Sequence, residues 1–128
     1  MKRGKIIIEQ SAGAEITVLF DLDKNGEVWM TAWEIADLFG VFLAAVGSNV
    51  RALFKSEELY PEEVSREHRY TDKGKEGILT YYNLDMIIAL AFRIKSYRAQ
   101  QFRRWIRESI AEKFIKSKII HFDTGYRL

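Results

Sequence analysis

The sequence contains no cysteine and only two histidines, His68 and His121, among its 128 residues. Without cysteine the chain forms neither a disulfide nor a thiolate metal site, and nothing in it points to an oxidising compartment. The histidines do not form a ligand-spaced pair, so the sequence predicts no metal and no cofactor. It also lacks a phosphate-binding glycine loop and a nucleophile beside a base. We therefore expect no enzymatic activity and no small-molecule substrate.

Long apolar runs are also missing. The opening MKRGKIIIEQ has three consecutive apolar residues before Glu9, too few for a signal-peptide core, and no window reaches the length of a membrane span. We therefore expect a cytoplasmic protein that does not enter a membrane. Apolar residues make up 48% of the chain and charged residues 30%, with a single proline, which favours one folded domain over residues 1–128.

Charge is distributed unevenly along the chain. Residues 1–64 carry 6 Lys and Arg against 11 Asp and Glu, whereas residues 65–128 carry 14 against 7. An excess of positive charge in one half predicts a basic surface for a polyanion such as nucleic acid. A solvated helix face explains such an excess equally well.

The first thirty residues have strand composition. Residues 5–9 and 15–21 predict two paired strands, and Asn25-Gly26 favours a tight hairpin turn that returns residues 28–30 as a third strand. The segment DLDKNG also resembles the start of a calcium loop. Its twelfth position is Ala32 instead of the bidentate glutamate, so a turn is the better interpretation. A small antiparallel sheet over residues 5–30 is expected.

A pair of helices is predicted over residues 32–55. Thr31 and Glu34 form a capping-box pattern that starts the first helix at Ala32, and Gly40 ends it. The second helix runs from Phe42 or Leu43 to Phe54. The pair has the spacing of a helix-turn-helix. The first helix contains a small residue, Ala36, the turn contains Gly40, and two valines of the second helix face inward, Val46 and Val50.

The second half of the chain predicts a wing-like β-hairpin over residues 64–82, with strands at 64–70 and 78–82 joined by a basic loop at its tip. Helices are predicted at 84–94 and 97–116. Asn83 and Ser96 are the expected N-caps. In the last helix one stripe recurs every four residues and is predicted to face the core: Phe102, Ile106, Ile110 and Phe114. The segment IIHFDTGYRL has the composition of a further strand. The expected fold class is α+β.

Three blocks of this sequence resemble a known family: VWMTAWEIADLFGV, YYNLDMIIALAFRIKS and RAQQFRRWI. Together, over residues 28–114, they are similar to the RhuM family of bacterial proteins, described as virulence or DNA-binding proteins, and more distantly to the Bro-N module of phage antirepressors. The resemblance implies a small α+β domain with a DNA-binding, antirepressor-like role in transcription regulation. RhuM proteins are usually longer, and the polar residues usual after the turn's GV are replaced here by the sequence FLAA.

Double-stranded DNA is therefore the expected partner. Recognition helices need donors and acceptors, which FLAA lacks, so base contacts are expected from the later part of the second helix. Asn49 suits adenine, Arg51 guanine and Lys55 a phosphate. Residues expected to contact DNA are Ser48, Asn49, Arg51 and Lys55 in the helix, Arg66, Arg69, Lys73 and Lys75 in the hairpin, and Arg93, Lys95 and Arg98 near the last two helices. A solvated surface is the alternative for each of them.

A second hypothesis is a protein-interaction or homodimerisation module. The residues Phe42, Leu43, Ala44 and Ala45 would then form an exposed apolar patch that docks a protein partner or a second copy. Alternatively, Phe42 and Leu43 pack under the N-terminal sheet and form no patch.

Overall fold

The structure is a computed structural model that describes residues 3–10 and 16–121. Small antiparallel sheets combine with helices, which confirms the α+β prediction. In chain order the described elements are β1 (Lys5–Gln10), β2 (Ile16–Asp21), β3 (Met30–Thr31), α1 (Ala32–Phe39), α2 (Leu43–Lys55), α3 (Pro61–Val64), β4 (Ser65–Asp72), β5 (Lys75–Tyr82), α4 (Leu84–Ala91) and α5 (Tyr97–His121).

The two N-terminal strands pair as predicted, but the third strand does not join them. β1 and β2 are antiparallel, with Ile6 opposite Phe20, whereas β3 pairs with β5 in a separate sheet of order β3-β5-β4. Residues 28–30 are buried, and the Trp29 amide donates to the carbonyl of Arg3 (2.8 Å). The predicted sheet over 5–30 is wrong at this point, because the partner of β3 is supplied by residues about fifty positions later in the chain.

The turn that precedes β3 is built around Asp23. Its carbonyl accepts from the amide of Gly26 (2.9 Å), and its carboxylate accepts from the amides of Asn25 and Glu27 (both 2.8 Å). Gly26 has φ +75°, a conformation that costs glycine little. The predicted turn is confirmed, although it closes from Asp23 to Gly26 and not around Asn25-Gly26.

The helix pair forms where the sequence predicts it. The hydroxyl of Thr31 accepts from the amide of Glu34 and the Glu34 carboxylate accepts from the amide of Thr31, so the capping box is complete. Gly40 ends α1 in the left-handed conformation (φ 64°, ψ 42°). The axes of α1 and α2 differ in direction by 113°. As predicted, the small residue of α1 and the inward valines of α2 are buried: Ala36, Val46 and Val50.

The two strands of the hairpin are longer than predicted. Its strands meet at a two-residue turn, Lys73-Gly74, in which both residues have positive φ (52° and 78°), as in a type I′ turn. Such a turn continues the strand twist, so the segment predicted as a loop pairs in register up to Asp72 opposite Lys75. The segment before the hairpin contains a short helix, α3, with Pro61 in its first turn and the buried Val64 at its end.

Two differences from the prediction concern the last helices. Helix α4 begins after the predicted N-cap Asn83 but ends at Ala91, three residues early. The amides of Arg93 and Ile94 both donate to the carbonyl of Leu90 (3.0 and 2.8 Å), so the regular i→i−4 series stops at this turn. Helix α5 begins after Ser96 as predicted and continues to His121, past the predicted end at residue 116. Residues 119–121, predicted as the start of a strand, are thus helical; the rest of that strand prediction lies outside the described residues.

The predicted core stripe of α5 is only half correct. Phe102 is fully buried, 5.8 Å from the ring of Phe39, and Ile106 packs against the core. Ile110 and Phe114 are instead 63% and 46% exposed. Every described side chain from residue 107 to 115 is exposed except the half-buried Ser109, so the second part of α5 extends past the elements that cover its first part.

No single helix among the described residues is long and apolar enough to cross a membrane. Helices α1 and α2 reach that length and composition only when they are counted together across their 113° bend.

Candidate functional site

The outward face of α2 carries the exposed polar side chains that a binding surface needs. Ser48, Arg51 and Lys55 are spaced by three and four residues, so they share the face opposite the buried valines, together with Ala44. All four are exposed. The guanidinium of Arg51 lies back along the helix, with Nη1 3.2 Å from the position that a Cβ would occupy at Gly47. The absence of a side chain at position 47 therefore leaves room for the arginine.

Asn49 does not lie on that face. Its amide nitrogen donates to the carbonyl of Ala45 (2.8 Å), and its amide oxygen accepts from Nε of Arg93 (3.1 Å), which follows α4. The side chain predicted to contact adenine therefore holds a cation from another part of the chain.

The junction between α4 and α5 is tied to the end of α1. The hydroxyl of Ser96 donates to the carbonyl of Phe39 (2.7 Å) and accepts from the amide of Ala99 (3.1 Å), so one residue caps α5 and fastens it to α1. Arg98 consequently lies against the turn of the helix pair, with its Cδ 3.7 Å from the Cβ position at Gly40. Lys95 is exposed in the same junction.

Sequence reasoning did not foresee how this junction is held. Arg103, which follows the buried Phe102 in α5, donates from Nη1 to the carbonyls of Ala91 and Ile94 (2.6 and 2.9 Å). These carbonyls close the end of α4, where a cation satisfies unpaired acceptors and the negative end of the helix dipole. The sequence signal for this contact is an arginine about two turns into the helix that follows.

The hairpin distributes its four predicted cations over both of its faces. In the β4–β5 register Arg66 is opposite Tyr81 and Lys75 is opposite Asp72, whereas Arg69, three residues from Arg66, belongs to the other face. Lys73 occupies the turn itself. The hairpin tip is thus basic, as predicted, but its charges do not form a single plane.

Arg66 lies in an acidic surrounding. Its guanidinium stacks over the ring of Trp29, 4.1 Å from the centroid, at a groove of about 450 Å³. Four carboxylates line this groove with Arg66: Glu27, Glu62, Glu63 and Asp85. A phosphate approaching Arg66 would meet these negative charges. Among the side chains that the structure describes, no group of three or more His, Asp or Glu is arranged to hold a metal ion.

The start of α2 is apolar and open to solvent. Phe42, the N-cap residue, is 87% exposed and its side chain makes no cap hydrogen bond, and Ala44 is exposed beside it. Leu43 and Ala45 are half-buried. The interpretation that Phe42 packs under the N-terminal sheet is therefore wrong, whereas an apolar patch centred on Phe42 is present.

The described structure thus brings Arg93 and Arg98 to the helix pair and leaves the hairpin cations as a separate group. In a comparison with known proteins, residues 62–124 match the family model described as Virulence protein RhuM family. That range runs from α3 through the hairpin and α4 into the part of the chain after α5, and it contains two of the three blocks noted in the sequence. The helix pair lies before it. No curated protein and no solved structure matches the chain.

Proposed function

This chain belongs to the RhuM virulence protein family through residues 62–124, and within this virulence-associated family we propose that it is a double-stranded DNA-binding regulatory module. In this proposal α2 enters the major groove as the second helix of a helix-turn-helix. Neither catalysis nor a cofactor is part of the proposed role.

One observation carries the proposal: two helices at 113°, joined by a three-residue turn that begins with a left-handed glycine, leave a polar stripe exposed on the second helix. Helix-turn-helix units have helices at about 90–120° and a turn of three to four residues that often contains glycine. The stripe of Ser48, Arg51 and Lys55 supplies donors of the kind that bind base edges and phosphates.

Electrostatic support comes from cations that the fold places beside α2. Arg98 lies at the turn of the helix pair and Arg93 lies beside the middle of α2. The hairpin adds three exposed cations, Arg69, Lys73 and Lys75. Because the stripe offers few base-directed groups, we expect most of the affinity to come from phosphates and to be weakly dependent on sequence.

Fluorescence anisotropy of a labelled generic duplex, measured across a salt series from about 50 to 200 mM, tests the proposal. We expect binding whose logarithm falls with the logarithm of salt concentration with a slope of about −4 to −6, because each neutralised phosphate releases about 0.9 counterions. Absence of binding at the lowest salt concentration would contradict the proposal.

Arg51 and Arg104 form a matched pair of variants for that experiment. If Arg51 binds a guanine edge, Arg51→Ala should cost about 1–3 kcal/mol on a preferred duplex and less on others. Arg104→Ala removes the same charge from α5, where Arg104 is already paired with Glu108 (3.0 Å), and should leave binding unchanged. Equal losses from both variants would reduce the role of Arg51 to a general effect of net charge.

The exposure of Phe42 favours a second candidate function, a protein-interaction or oligomerisation module of antirepressor type. If the patch mediates self-association, Phe42→Ser with Leu43→Ser should convert the protein to monomers without lowering its melting temperature. Light scattering measures the mass, and Ile78→Ser, an exposed apolar residue on the hairpin (52%), is the control. An unchanged mass in the double variant would argue against this candidate.

A further inference from the structure

The contact between Asn49 and Arg93 joins α2 to the α4–α5 junction across 44 positions of sequence. The amide of Asn49 uses both of its ends there: the nitrogen donates to the carbonyl of Ala45, and the oxygen accepts from Nε of Arg93. This orientation of the amide is the only one that fits both partners, since a flipped amide would face an acceptor with its oxygen and a donor with its nitrogen.

An asparagine engaged in this way is oriented by the helix backbone and by Arg93, and not toward a base. Bidentate contact with adenine requires the amide oxygen and nitrogen together. Each end keeps one free position, an N–H and a lone pair, but turning the amide toward a base edge would break the hydrogen bond to the guanidinium and the one to the helix backbone. Hydrogen bonds that involve a charged group are worth about twice as much as neutral ones.

Arg93, in contrast, keeps most of its donors available. A guanidinium has five N–H groups, and only Nε–H is used by Asn49. Nη1 and Nη2 make no hydrogen bond or ion pair with a described residue, and the side chain is exposed. The backbone of Arg93 is fixed as well, because its amide donates to the carbonyl of Leu90 in the turn that ends α4 (3.0 Å).

From this geometry we infer that Asn49 is a positioning residue, which holds the guanidinium of Arg93 beside α2 so that Nη1 and Nη2 bind a backbone phosphate of the nucleic acid. The inference rests on the proposed function and adds a specific ligand to it. A cation held at both its backbone and its Nε loses less side-chain entropy on binding than a free surface arginine. The effect of Asn49 on DNA binding is accordingly independent of base sequence.

A double-mutant cycle tests this inference with the full chain. Affinities of the wild type, Asn49→Ala, Arg93→Ala and the double variant are measured on two duplexes of unrelated sequence, each across a salt series. We expect Arg93→Ala to lower affinity about three- to ten-fold, the range of one exposed charged contact, and to reduce the salt slope by about 0.9.

Asn49→Ala should lower the affinity for both duplexes by the same factor, and this factor should be no larger than that of Arg93→Ala. Once Arg93 is replaced, Asn49→Ala should have no further effect on affinity. A purely structural role of Asn49 would weaken binding in the Arg93→Ala background too. The inference would be overturned by such a loss in the Arg93→Ala background, by a loss from Asn49→Ala on one duplex only, or by a salt slope that Arg93→Ala leaves unchanged. Each of these outcomes would leave the proposed function intact. Failure of the wild type to bind either duplex at low salt would overturn both.

Discussion

At the scale of single residues, the start of α1 contains both a local contact that the sequence predicts and a distant one that it does not. Thr31 and Glu34 are three positions apart, so their reciprocal capping follows from helix geometry. Arg3 is 31 positions from Glu34, and its guanidinium forms two hydrogen bonds to that carboxylate (2.6 and 3.1 Å). The ring of Tyr81 lies under the same guanidinium, 4.7 Å away. One guanidinium therefore joins the N-terminal segment, α1 and β5.

The pKa of Glu34 reflects these partners. Partial burial by itself would raise the pKa of this carboxyl group, but hydrogen bonds from Arg3 and Thr31 and attraction by Arg3 outweigh it, and the pKa lies below its ordinary value of 4.5. A pKa that folding lowers means that the ionised carboxylate stabilises the folded state. That stabilisation is complete above the ordinary pKa and disappears as the pH falls through the lowered value.

We therefore expect the free energy of unfolding of the wild type to exceed that of Glu34→Gln by about 0.5–1 kcal/mol at neutral pH, since glutamine keeps the cap but not the charge. The difference should vanish below the lowered pKa. Urea unfolding at several pH values measures it, with the exposed Glu58→Gln as the control. A difference that stayed constant down to the most acidic pH would show that the charge of Glu34 contributes nothing.

At the scale of elements, α5 shows the limit of periodicity as a predictor. A repeat of four predicts which residues share a face of a helix, and Phe102, Ile106, Ile110 and Phe114 do share one. Whether the face is buried depends on what lies opposite. Residues of α1, α4 and β2 pack against the first part of α5, and Phe20 stacks on Trp105 with ring centroids 5.0 Å apart. Beyond Ile106 the stripe is exposed.

Alanine substitutions in the buried and the exposed part of the stripe should therefore differ sharply in their effect on stability. Phe102→Ala removes a fully buried ring and should lower the free energy of unfolding by about 3–5 kcal/mol. Ile110→Ala removes a side chain that is 63% exposed and should change it by less than about 0.5 kcal/mol. Both are measured by urea denaturation. A cost for Ile110→Ala close to that of Phe102→Ala would mean that something covers the second part of α5 in solution.

At the scale of the whole molecule, the fold divides the positive charge that the second half of the sequence carries. Arg93 and Arg98 lie against the helix pair, Arg69, Lys73 and Lys75 belong to the hairpin, and Arg66 lies among carboxylates. The surface charge near α2 therefore comes mostly from a segment 40 to 50 residues away in sequence. Substitutions at the α4–α5 junction and at the hairpin tip therefore change the charge of two separate surfaces.

The sequence by itself determined the features that depend on residues close by in the sequence. The capping box at Thr31, the left-handed Gly40, the N-caps Asn83 and Ser96 and the pairing of β1 with β2 all follow from local sterics and local hydrogen bonds. For the same reason the exposed stripe of α2 is predictable, because its periodicity is that of the helix.

Only the tertiary structure decided which distant groups meet. The pairing of β3 with β5, the engagement of Asn49 by Arg93, the stacking of Arg66 on Trp29 and the exposure of Ile110 each depend on an element far away in sequence. A polar or charged residue has similar propensities whether it faces solvent, a carboxylate or another side chain. Its contacts are therefore fixed by the packing of the whole chain. The same packing determines the proposed roles of Arg51, which would bind bases, and of Asn49, which would position a cation.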